Sequence, residues 1–147
     1  GGAQDGPRRR RNRQGHCRPD RQDRRALHAS GTPDAVAVAQ RLQAAREAFL
    51  DVVGFVAGQA KARPNAVSAG SVPYLMLSGN LVAGWQMGRA LLVAQAQLAQ
   101  QREVLFMQSK ITTARFYADH ILSKVPGLAA SVLHGADAVM ALPQEAF

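Results

Sequence analysis

Cysteine occurs once in 147 residues, at Cys17. One thiol cannot form an intrachain disulfide, and its place in a basic stretch leaves the redox compartment unread. Aromatics are sparse: all eight lie between Phe49 and Phe147, so a core is expected only in the second part of the chain. No apolar N-terminal stretch precedes a small-residue cleavage site, so no secretory signal can be read and a cytoplasmic location is expected. The first methionine is Met76, and the sequence is read as a fragment rather than a processed chain. No alternating strand pattern, internal repeat, GxGxxG or phosphate loop is found. That excludes a dinucleotide fold or a P-loop enzyme within these residues.

The charge is unevenly placed. Residues 1–31 carry nine arginines against three aspartates, while residues 32–147 carry nine Lys/Arg against seven acids. The first segment has almost no apolar side chains to offset its ordering entropy, so residues 1–31 are expected to be disordered. Arg8, Arg9, Arg10 and Arg11 could neutralise phosphates in a salt-dependent, sequence-blind way. The same residues also read as a solvated tail, or as the shifted frame of GC-rich DNA, since the change to ordinary helical sequence after Ser30 is abrupt.

Residues 32–147 read as one all-α domain: an antiparallel bundle of three long helices plus a short C-terminal helix. Thr32-Pro33-Asp34 has the capping hydroxyl, the first-turn proline and the acid that a helix start favours. Val38, Leu42, Ala45, Phe49, Val52 and Val56 then repeat at 4-3-4-3-4 spacing, a stripe on one helical face. Gly58 and Arg63-Pro64-Asn65 end that helix, and residues 61–71 form a loop with some helical turn. A second helix is predicted from Ser71 to Gln100, ~40 Å long at 1.5 Å per residue. It is apolar on nearly every side, which places it centrally and predicts that Trp85 is buried. Asn80, Gln86 and Arg89 interrupt it, and charge near mid-bilayer is costly, so no membrane span is expected. A third helix is predicted over Arg102–Lys124, with Val104, Met107, Ile111, Ala114, Ala118, Ile121, Leu122 and Val125 facing inward. Pro126-Gly127 is read as its stop. A shorter fourth helix runs Leu128–Leu142, with Leu128, Val132, Ala136 and Val139 at helical spacing.

Side chains that could carry chemistry are few and poorly placed. Asp119 and His120 are neighbours, but adjacent helical residues point about 100° apart and cannot orient one another. His134 stands alone, and His16-Cys17 falls far short of a zinc pattern. Glu47, Asp51, Glu103 and Glu145 have no partner at a spacing that would tune a general base. The expectation is therefore no catalytic, cofactor-binding or metal-binding residue in this chain. Gly84 and Gly88 share one helical face. They read either as a close helix–helix approach, including a subunit interface, or as room for Trp85.

Three segments in order carry a resemblance. They are Val72-Pro73-Tyr74-Leu75, Ala83-Gly84-Trp85 and the run ARFYADHIL over 114–122, with an acidic-apolar end at Gln144-Glu145-Ala146-Phe147. Over roughly residues 34–147 the chain resembles the C-terminal helical domain of the acyl-CoA dehydrogenase family, in its methylmercaptopropionyl-CoA dehydrogenase-like branch. Family members usually place Leu-Pro after the Ile-Leu; here Ser123-Lys124 follows. The resemblance implies FAD in the parent enzyme and α,β-dehydrogenation of an acyl-CoA. The catalytic glutamate would precede the matched region, and no residue here aligns with it. It further implies a packing and assembly role, with the remainder of the enzyme or a second copy as partner. The alternative is a free-standing helical interaction module with a basic, polyanion-binding tail.

Overall fold

The computed structural model describes residues 18–146. Among them every regular element is helical: α1 (Arg18–Ser30), α2 (Pro33–Gln59), α3 (Pro64–Ala69), α4 (Ser71–Ala99), α5 (Val104–His120), α6 (Val125–His134) and α7 (Ala136–Val139), with short 3-10 turns at Leu122–Lys124 and Gln144–Ala146. The all-α class read from the sequence is what the fold shows.

Helix α2 begins as its sequence dictates. The Thr32 hydroxyl accepts from the Ala35 amide at 3.4 Å, with extended backbone at Thr32 (φ −74°, ψ 145°). Pro33 and Asp34 occupy the first turn. Pro64 opens α3, so the loop over 61–71 holds the helical turn expected of it.

Contacts at both ends fix how the long helices run. Gln95 Nε2 donates to Thr32 Oγ1 at 2.6 Å. Toward the other end Phe49 and Tyr74 stack with ring centroids 6.2 Å apart, so α2 and α4 are antiparallel. α4 ends at Ala99 and α5 starts at Val104, while far from that turn Tyr117 Oη donates to the Asn80 carbonyl at 3.3 Å, so α4 and α5 are antiparallel too. The α4–α5 turn holds two non-glycine residues in the left-handed region, Gln101 (φ 57°) and Glu103 (φ 43°).

The core is built from small side chains. Val38, Leu42, Ala45 and Val52 of the α2 stripe are buried, with Phe49 and Val56 packed at its margin. Ala114, Ala118, Leu122 and Val125 do the same for α5 and its continuation. Among the described residues, nine of the eighteen buried apolar ones are alanine, so helix backbones approach closely and the packing depends on fit rather than bulk.

Four expectations need correction. Residues 1–31 are not wholly outside the fold: Arg18–Ser30 form α1, and Leu27 is fully buried. One leucine is enough because its seat is a glycine, described below. The third helix ends at His120 and tightens into the 3-10 turn. Pro126 does not stop a helix but sits in the first turn of α6, where its missing N–H costs nothing. The fourth helix is divided at Gly135, whose N–H bonds the Ser131 carbonyl at 3.0 Å. A Cβ at Gly135 would lie 2.4 Å from that oxygen.

Candidate functional site

The seam between α1, α4 and the 3-10 turn is where the chain departs most from a generic bundle. Gly84 and Gly88 lie one turn apart on α4. A Cβ on Gly84 would stand 2.5–2.8 Å from the Leu122 side chain. On Gly88 it would stand 3.1 Å from Leu27 and 3.2 Å from Leu42. The two glycines therefore admit leucines of the same chain; they neither make room for Trp85 nor form a subunit contact.

Trp85 is half-buried at the margin of the core rather than enclosed by the long helices. Its Nε1 donates to Asp23 Oδ2 at 2.7 Å. Arg89 lies over the ring, 5.6 Å from the centroid, with its Nε 3.8 Å from the same Asp23 oxygen. Asp23 and Leu27 are four apart, so one face of α1 supplies both the polar and the apolar contact.

A second cluster ties α5 to α2. Arg115 Nε donates to Asp119 Oδ2 at 2.6 Å and its Nη1 to Asp34 Oδ1 at 3.1 Å. Arg41 Nε lies 3.7 Å from Asp119 Oδ1. The hydrogen bond from Arg115 holds the Asp119 carboxyl below the usual carboxylate range, against the opposing effect of its desolvation. The same bond raises the Arg115 guanidinium further. Burial pushes the Tyr117 phenol up. Ala37, Gln40, Arg41, Ala44, Arg115 and Asp119 line an open concavity of about 310 Å³ there.

The residues weighed from the sequence do not converge. Asp119 is an ion-pair partner, while its neighbour His120 turns away and stacks on Phe116 at 4.4 Å between centroids. Glu47 accepts a hydrogen bond from Gln43, Glu103 caps α5 by backbone alone, and Asp51, His134 and Glu145 are exposed. Among the described residues no group of three or more His, Cys, Asp or Glu could hold a metal ion. Arg8–Arg11 and His16-Cys17 lie outside the described residues. Sequence reasoning missed Asp23 and Leu27 because their segment was judged by its arginines. The signal was a lone leucine one turn after an aspartate.

The outer surface of α4 and α5 is unusually apolar. Val72, Leu75, Met76, Val82 and Val93 on α4, and Leu105, Phe106 and Phe116 on α5, are each more than half exposed. The central helix is thus not enclosed on all sides, as its composition predicted; one side faces solvent. A contiguous exposed apolar surface is a general mark of an interaction site. Yet no described helix is long and apolar enough to cross a membrane.

Comparison with known proteins agrees with this architecture. The chain is 44% identical over 94 residues to the 3-methylmercaptopropionyl-CoA dehydrogenase of Ruegeria pomeroyi, a match covering 64% of this chain and 16% of that protein. No solved structure matches. A family profile described as "Acetyl-CoA dehydrogenase C-terminal like" matches residues 20–143, from α1 to beyond α7. The chain belongs to this acyl-CoA dehydrogenase C-terminal family.

Proposed function

We propose that the chain serves as the C-terminal helical domain of an FAD-dependent acyl-CoA dehydrogenase-like oxidoreductase in the cytoplasm. Its contribution is packing and assembly, and it supplies no catalytic, cofactor-binding or metal-binding residue. One observation carries this reading: the family match coincides with the folded bundle, while the matched segment is only 16% of the length of the Ruegeria pomeroyi relative.

The chemistry of the described side chains supports the division of labour. Dehydrogenation of an acyl-CoA thioester needs a carboxylate to take the Cα proton and a flavin to accept the hydride from Cβ. Asp34 and Asp119 are already held by arginines, so neither is available as a base. The concavity beside them does not fit a flavin. It has no aromatic wall, and Arg115 is turned onto its own carboxylates rather than toward a phosphate.

The test is purification of the 147-residue chain. It should be colourless, bind no FAD by calorimetry, and show no acyl-CoA-dependent reduction of an electron acceptor. Stoichiometric FAD on the purified chain would overturn the reading. Genomic DNA immediately upstream, read in three frames, gives a second check. Sequence of the catalytic core there supports an enzyme domain. An in-frame start codon close by supports the free-standing module instead.

A further inference from the structure

Gly79 lies on the exposed side of α4, and none of the described residues accounts for it. A Cβ there would meet no atom within 4 Å, and the backbone is ordinary helix. Glycine is the least favourable helix-interior residue short of proline. The same cost at Gly84 and Gly88 is offset by close packing on Leu122, Leu27 and Leu42, whereas at Gly79 no such contact offsets it.

The surroundings of Gly79 say what the position is for. Val72, Leu75, Met76 and Val82 precede and follow it at three- and four-residue spacing, on the same face. They are exposed by 65%, 74%, 53% and 56%. From Pro64 to Gly88 the sequence holds no Asp, Glu, Lys or Arg, in a chain whose net charge is +8. Gly54 on α2 is equally open, but it stands one turn from the exposed Asp51, as a water-facing surface would.

We propose that the face of α4 from Val72 to Val82 docks on the catalytic body of an acyl-CoA dehydrogenase, with a segment of that body lying close over Gly79 between Leu75 and Val82. This rests on the domain reading above. The chain's own residues 1–17 cannot be the occupant, because their composition is polar and arginine-rich. A charge-free, apolar surface suits a permanent neighbour better than a transient one. The relative that carries this domain supplies such a neighbour, since the matched segment is only 16% of its length.

The test compares two contexts. One is the 147-residue chain alone. The other is a chimera in which this chain's sequence replaces the matched segment of the Ruegeria pomeroyi enzyme. In the chain alone, Gly79→Ala should raise the thermal midpoint by about 2–5 °C, because only helix propensity changes. In the chimera, Gly79→Leu and Leu75→Glu should lower the midpoint and reduce bound FAD, while Gly54→Ala should raise the midpoint modestly in both contexts. A chimera that loads flavin and is unaffected or stabilised by Gly79→Leu would overturn the docking face and leave the domain reading standing. A parent chimera that neither folds nor loads flavin would overturn the domain reading, and the docking with it. If the isolated chain sediments as a dimer that Gly79→Leu dissociates, the face belongs to a second copy and the proposal fails.

Discussion

Trp85 and Asp23, 62 residues apart in sequence, are joined by a 2.7 Å hydrogen bond from the indole to the carboxylate. The bond joins the basic N-terminal helix to the bundle, and it sets the only tryptophan as a reporter of that junction. Asp23→Ala removes the acceptor and leaves the indole N–H to water. The expected loss is about 1–2 kcal/mol, with a change in Trp85 emission before global unfolding in a urea titration. Emission that follows the far-UV signal without offset would show that α1 is not an independently opening element.

Leu27 supplies the apolar half of the same junction. It is fully buried against the Gly88 face, so Leu27→Ala should cost about 2–4 kcal/mol if the site does not collapse. A tail that merely trailed from the bundle would show no change in chemical-denaturation midpoint.

Glycines of the same helices should respond with opposite sign. Gly84→Ala drives a methyl into Leu122, itself buried, and should destabilise by about 1–3 kcal/mol. Gly54→Ala meets open space and should stabilise by about 0.5–1 kcal/mol. Calorimetric melting of both variants checks the pair, and equal signs would contradict the close approach of α4 to the 3-10 turn.

Asp119 should contribute to acid sensitivity. Its folded pKa is depressed, chiefly by the Arg115 hydrogen bond. Its stabilisation is therefore complete above the unfolded value near 3.9 and is lost as pH falls through the lower folded value. Because the group is partly exposed, its worth is about 1 kcal/mol or less. Asp119→Asn should lower the urea midpoint slightly at pH 7 and converge on the parent as pH falls through the lowered folded pKa of Asp119. A constant gap across that range would assign the loss to packing instead.

Much of the bundle was legible because helix starts and buried stripes have local causes. Thr32-Pro33-Asp34 and the run from Val38 to Val56 each declare themselves within a few turns. What escaped reading depends on pairs far apart in sequence. Leu27 looks solitary until Gly88 is placed beneath it, and Pro126 reads as a stop until the preceding turn shows it opening α6. The open side of α4 escaped for another reason. An apolar composition says that a surface must be covered, without saying by which polypeptide. Scattered carboxylates are the reason the proposed function assigns this chain no catalytic residue. The positions of Asp34 and Asp119 add a physical reason, since each is committed to an arginine.

Half of the buried apolar positions are alanine, and that has a consequence for how this domain can diverge. Interfaces of such small side chains have little to lose by truncation but no slack for an added methylene. Drift toward larger residues is closed off at positions such as Ala114 and Ala118. In a domain of this kind the spacing of the small residues is set by the packing itself. Its ancestry can then remain readable in the packing of its helices.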